Sequence, residues 1–120
     1  MFSDLIVDNF TSPTHAGEID APVLVLENKD PVCGDQIRIG LAVENGQITS
    51  ARFRAWGCAT SMATANILCK WLEGRGVQDC AEASAEEISA LLGQLSPEQR
   101  HCQHIAQNLV RQLAAQEAWP

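Results

Sequence analysis

A chain of 120 residues, 46% of them hydrophobic, is long enough to bury a core as a single domain over residues 1–120 without disulfide staples. Its formal charge of -7, from 15 acidic against 8 basic residues, has the wrong sign for gripping a phosphate backbone, which excludes nucleic acid as a partner. No apolar run approaches the roughly 20 residues that span a bilayer, and Met1-Phe2-Ser3-Asp4 opens neither a signal sequence nor an Arg-rich presequence, so the chain reads as cytoplasmic with no membrane partner.

Leu5, Ile6 and Phe10 lie in a short amphipathic helix that gives way to the turn-prone run Thr11 to Gly17. Val23-Leu24-Val25-Leu26, bounded by Pro22 and by Asn28-Lys29-Asp30-Pro31, predicts a strand. From Asp35 onward Ile37, Ile39, Leu41 and Val43 alternate with Gln36, Arg38, Gly40 and Ala42, the period of a half-buried strand. Asn45-Gly46 marks a hairpin, and Ala51, Phe53 and Ala55 alternate on the return strand. A two-residue loop would set Ile37 against Arg54 and mix the faces. A three-residue loop sets Ile37 against Ala55, Ile39 against Phe53 and Leu41 against Ala51, and is the expected register.

A helix follows over Ala59 to Glu73, with Met62, Ala65, Cys69 and Leu72 on one face and Gly74 as its C-terminal cap. Ser84-Ala85-Glu86-Glu87 opens a short helix through Leu92, ended by Gly93. Ser96-Pro97-Glu98-Gln99 opens the last helix, which runs to about Gln116 and aligns Cys102, Ile105, Leu109 and Leu113 in one stripe. The expected fold is α+β: a three-stranded antiparallel sheet covered by helices, with ligands converging at one end.

Three sites carry the chemistry: Cys33-Gly34-Asp35, Gly57-Cys58 and His101-Cys102. In a reducing compartment five cysteines, an odd number, suggest metal ligands, reactive groups or buried apolar residues rather than disulfides. The hairpin brings Cys33 and Cys58 to its open end, and Cys58 sits at the following helix's N-terminus, where the macrodipole favours negative charge. Three thiols, an imidazole and a carboxylate are the ligand types that zinc, iron and iron-sulfur clusters take from proteins. Cys69, within the apolar stripe of a helix, and Cys80 are read as buried structural residues; His15 and His104 as surface residues. Arg38 facing Arg54, with Arg52 alongside, is a candidate docking patch despite the cost of opposed like charges, and Trp56 and Trp119 are candidate contact residues.

These three sites, with Ala51-Arg52-Phe53 leading into Gly57-Cys58 and with Ile6-Val7-Asp8-Asn9-Phe10 followed by Pro13 and Gly17, resemble the IscU and NifU N-terminal family of iron-sulfur cluster assembly scaffolds over most of the chain. The resemblance implies a scaffold rather than an enzyme: sulfur arrives as persulfide from a cysteine desulfurase, a transient [2Fe-2S] cluster is built, and apo-protein acceptors receive it. It implies that Cys33, Cys58 and Cys102 are the cluster thiolates and that Asp35 and His101 compete for the fourth position. Asp35 would favour release and Cys102 would accept the persulfide. Iron and electron donors such as a frataxin-like protein and a ferredoxin are the further partners implied.

Zn²⁺ fits the same donors in the cluster-free form. Before Arg100-His101-Cys102 the family's Leu-Pro-Pro-Val-Lys run is replaced by Leu95-Ser96-Pro97-Glu98-Gln99, so the dedicated chaperone pair is not expected by the usual route. The SufU branch carries an insertion and a basic residue where His101 stands, and this chain has neither. A SufU-like zinc-dependent sulfurtransferase relay and a structural zinc domain are the alternatives.

Overall fold

A computed structural model describes residues 3–22, 24–29 and 34–115. Val23, Asp30, Pro31, Cys33 and Trp119 lie outside the described residues. In chain order the elements are α1 (Asp4–Thr11), β1 (Leu24–Lys29), β2 (Gln36–Glu44), β3 (Gln47–Trp56), α2 (Ala59–Leu72), α3 (Val77–Ala81), α4 (Ala85–Ala90), a 3₁₀ turn (Pro97–Gln99) and α5 (His101–Ala114). The sheet is three-stranded and antiparallel in the order β1-β2-β3. Among the described residues no helix is long and apolar enough to cross a membrane.

The expected register holds: Ile37 faces Ala55, Ile39 faces Phe53 and Leu41 faces Ala51. The loop that produces it is different. Asn45 and Gly46 form a two-residue turn with φ of 52° and 77°, and Glu44 pairs with Gln47. A register shift between Ala42 and Val43 then leaves Thr49 unpaired as a bulge, its hydroxyl donating to the Ala42 carbonyl at 3.2 Å. The tight turn suits the twist of the strands, and the bulge restores one apolar face.

That face carries Ile37, Ile39, Leu41, Ala51 and Phe53, all at most 2% exposed, and α2 lies against it. α2 is buried almost all round from Thr60 to Leu72, with Met62, Lys70 and Trp71 the exceptions, because α1, α5 and the sheet enclose it. Cys69 and Cys80 are fully buried in this core, as are Cys102, Leu109 and Leu113 of the α5 stripe. α1 departs from its expected face: Ile6 and Asn9 point inward, and Leu5 and Phe10 are exposed. The short α3 has too few residues to display a period and was not foreseen.

Enclosing α2 also encloses its polar residues, and these require partners. The Asn66 amide donates to Asn9 Oδ1 at 2.7 Å, and Asn66 Oδ1 accepts the His15 backbone N–H at 2.9 Å. His15 is therefore not a surface residue: its ring is half-buried and lies 3.2 Å from Glu73. Glu73 also accepts from Arg52 at 2.8 Å and from the Ala51 N–H at 3.0 Å. Burial pushes the Glu73 carboxyl up, and the Ala51, Arg52 and His15 donors together bring it below its ordinary value.

The outer borders of the sheet are engaged as well. Phe53 exchanges bonds with the segment at 15–17, its N–H reaching the His15 carbonyl at 3.0 Å and its carbonyl accepting from Gly17 at 2.8 Å. Ile48 does the same with Gly74 and Arg75. On the other border, the Gln112 side-chain amide bonds both the N–H and the carbonyl of Glu27, at 3.0 and 2.7 Å.

Candidate metal centre

Three segments meet beside the N-terminus of α2. Cys58 is its N-cap residue, Asp35 lies just before β2, and His101 and Cys102 open α5. Cys58 is exposed, His101 half-exposed, Asp35 buried and Cys102 fully buried. One ligand atom each from Asp35, Cys58 and His101 can be chosen so that all lie within 4.8 Å of one another.

The shared centre of this cluster is Asp35 Oδ2. The Cys58 thiol lies 3.7 Å from it, and His101 Nε2 lies 3.9 Å from it. The same His101 nitrogen is 3.7 Å from Cys102 Sγ. Ligand atoms bound at about 2.0–2.3 Å to one tetrahedral ion are separated by about 3.3–3.8 Å. The Cys58–Asp35 and His101–Asp35 distances are close to such a spacing, so these three side chains fit a metal, with Cys102 beside His101 as a fourth donor.

Gly57 sets the geometry from below. Its φ of 149° is a conformation that L side chains rarely adopt, and a Cβ there would strike the Asp35 carboxylate. Glycine thus lets the β3–α2 turn lie flat against the acid. The loop aims Cys58 and Asp35 at the same space.

Cys102 is held differently. Burial pushes its thiol from 9.0 up to about 11; hydroxyls of Thr64 and Ser61 lower it, while Cys58 and Asp35 raise it. At neutral pH it is a thiol in the metal-free protein. A metal ion bound beside it would supply the positive charge that favours the thiolate.

Of the residues named from the sequence, the fold brings Asp35, Cys58 and His101 within 4.8 Å of one another and sets Cys102 beside His101. Cys33 is outside the described residues. What the sequence reading missed is the contribution of α2: Ser61, fully buried, donates to Asp35 Oδ2 at 2.7 Å and lies 3.4 Å from Cys58 Sγ. Small polar residues in a helical pattern gave no signal of this. The only clue was their number, Thr60, Ser61, Thr64 and Asn66, on a helix that must be buried.

The patch of Arg38, Arg52 and Arg54 is altered by its neighbours. Arg38 does face Arg54, but Arg54 pairs with Glu18 at 3.1 Å and Arg52 with Glu73 at 2.8 Å. Two of its three charges are engaged within the chain. Trp56, half exposed, stands beside the site.

The chain is also similar to known proteins. A family model described as the NifU-like N terminal domain matches residues 1–117. The chain is similar to the iron-sulfur cluster assembly scaffold protein IscU 1 of Archaeoglobus fulgidus, with 28% identity over 111 residues, 92% of this chain and 72% of that one. Its fold is similar to that of the N-terminal part of a nitrogen-fixing NifU-like protein from Brucella abortus, with a TM-score of 0.69 at 14% identity, covering 97% and 95% of the two chains. A SUF-system scaffold candidate from Fervidobacterium islandicum AW-1 shares the fold with a TM-score of 0.65 at 22% identity, covering 88% and 82%.

Proposed function

The chain belongs to the NifU-like N-terminal domain family, and we propose that it is an IscU-type scaffold on which an iron-sulfur cluster is assembled and from which it is passed on. The observation that supports this most is the clustering of Asp35, Cys58 and His101 within 4.8 Å of one another, half open to solvent, with Cys102 3.7 Å from His101. A closed site would store its metal; a site with one exposed thiol and one carboxylate can exchange it.

The cargo is a [2Fe-2S] cluster, held by Cys58 and Cys102 together with Cys33. Asp35 or His101 fills the fourth position. Thiolates bind iron tightly and a carboxylate binds it weakly, so Asp35 is the ligand whose departure starts release. Sulfur comes from a cysteine desulfurase: an attacking thiolate takes the terminal sulfur of the enzyme's persulfide, and the enzyme's cysteine leaves as thiolate. Cys102 is the acceptor implied by family resemblance. Because Cys102 is buried, that transfer requires the first turn of α5 to move aside; Cys58, exposed at the rim, is the acceptor that needs no movement.

The test is anaerobic reconstitution with ferrous iron, cysteine and a cysteine desulfurase, read by visible absorption and by transfer to an apo-ferredoxin. A thiolate-to-iron charge-transfer spectrum that passes to the acceptor, and is lost in Cys102→Ser and Cys58→Ser, is the expected result. Persulfide on the protein with zinc retained and no cluster would overturn the scaffold reading in favour of a sulfur relay. Peptide mapping of the persulfide in the two serine variants assigns the acceptor.

A further inference from the structure

Asp35 has two carboxylate oxygens, and the fold uses them unequally. One side of the carboxylate rests on Gly57, where a Cβ would strike Oδ1. The other oxygen, Oδ2, faces Cys58 and His101 at 3.7 and 3.9 Å and makes a short contact, 2.7 Å, with the Ser61 hydroxyl. Ser61 is 0% exposed and Asp35 8% exposed, so water does not compete freely for this bond.

Ser61 is the third residue after the N-cap of α2, a position whose side chain commonly turns back to the cap. Here it reaches across to a different segment instead, and its oxygen also lies 3.4 Å from Cys58 Sγ. A carboxylate oxygen has two acceptor directions. With Ser61 on one, the second is turned toward Cys58, whose thiol donates weakly to it at 3.7 Å and would yield it to a metal ion.

We propose that Ser61 is a positioning residue for the metal centre: its hydroxyl pins Asp35 Oδ2 so that the carboxylate meets a metal ion through that single oxygen. The inference rests on the metal-site reading of Asp35, Cys58, His101 and Cys102. Hydrogen bonds to a ligating carboxylate fix its direction, and losing such a partner lowers metal affinity by about 10- to 100-fold in comparable sites. Ser61 touches no metal in this account. Its effect passes through Asp35, which makes the two residues energetically coupled.

The experiment titrates the reduced, metal-free full chain with Co²⁺, following its ligand-field absorption and confirming the affinities by Zn²⁺ competition. The proteins are wild type, Ser61→Ala, Ser61→Thr, Asp35→Ala and the double variant Ser61→Ala with Asp35→Ala. Expected is about 10-fold weaker binding and a changed absorption band in Ser61→Ala, with affinity within about 3-fold of wild type in Ser61→Thr, which keeps the hydroxyl. In the Asp35→Ala background, removing Ser61 should change affinity by less than about 2-fold.

Equal losses in both backgrounds would assign Ser61 a role in packing or through the Cys58 and Cys102 thiols it also meets and overturn the proposal, as would unchanged binding in Ser61→Ala or an equal loss in Ser61→Thr. If wild type itself binds neither metal, the metal-site reading fails first and this inference falls with it. Urea unfolding of each metal-free protein separates a lost ligand geometry from a lost fold.

Discussion

The two ends of α2 hold two polar clusters built on opposite principles. Around its C-terminal half, Asn66, Asn9, His15, Glu73, Arg52 and the Ala51 N–H join one another at 2.7–3.2 Å. Around its N-terminal end, Cys58 and His101 stand 3.7 and 3.9 Å from Asp35, Cys102 stands 3.7 Å from His101, and Ser61 bonds Asp35 at 2.7 Å. Both clusters bring together residues distant in sequence. The first has donors matched to acceptors and works as internal bracing. The second gathers thiol, imidazole and carboxylate at longer spacings, a set of donors that a metal ion can bind.

The sharpest way to break the comparison is to remove a ligand from the open cluster. Cys58→Ser should weaken Zn²⁺ and Co²⁺ binding by more than about 100-fold, since even indirect partners of metal ligands are worth about 10- to 100-fold. Because Cys58 is exposed, its metal-free urea midpoint should hardly move. Asn66→Ala should do the reverse: it strands Asn9 and the His15 N–H, costing about 2–3 kcal/mol in urea unfolding, while metal affinity changes by less than about 2-fold.

Gly57→Ala sits between these extremes. Its Cβ displaces the Asp35 carboxylate and its φ of 149° becomes strained, so metal affinity should fall about 10-fold together with a loss of about 1 kcal/mol of stability. A titration that leaves metal affinity intact would show that Asp35 is not required at the site.

The smallest effect is one of pH. Burial raises the Cys80 thiol from 9.0 to about 11 and pushes Cys69 up as well, so above about pH 9 the unfolded chain releases protons that the folded chain keeps. That contribution is complete below the unfolded value and is lost as pH rises from about 9 to 11. Cys80→Ala should flatten the decline in urea midpoint over that window. Glu73, lowered from 4.5, acts in the opposite sense, and its contribution is lost as pH falls through the folded value.

Much of this was legible because the signals were local or periodic. Alternation in Gln36 to Val43 fixed the strand face, and the requirement that Ile37, Ile39 and Leu41 share that face fixed the register. The bulge at Thr49 was not legible, because it reconciles two demands, a tight Asn45-Gly46 turn and an in-register core, that an alternative loop length would satisfy equally well on paper. His15 reads as a surface residue because its partner, Glu73, is 58 positions away. Ser61 was hidden for the same reason: the acid it serves is 26 residues upstream on another segment. Thiol, imidazole and carboxylate declare their chemistry by type, whereas a hydroxyl declares it only once its neighbours are known.

The sheet borders have a consequence for how other proteins can approach. A strand with open N–H and C=O groups invites a neighbouring chain to add itself, the first step of both β-augmentation and amyloid growth. Here β3 is engaged at Ile48 and Phe53 by loop backbone and at Ala51 by Glu73, and β1 is engaged at Glu27 by Gln112, whose amide copies a peptide unit. These positions offer no template for strand addition. At these positions recruitment must therefore be read from side chains, and the face where side chains carry reactive atoms is the one at which α2 begins.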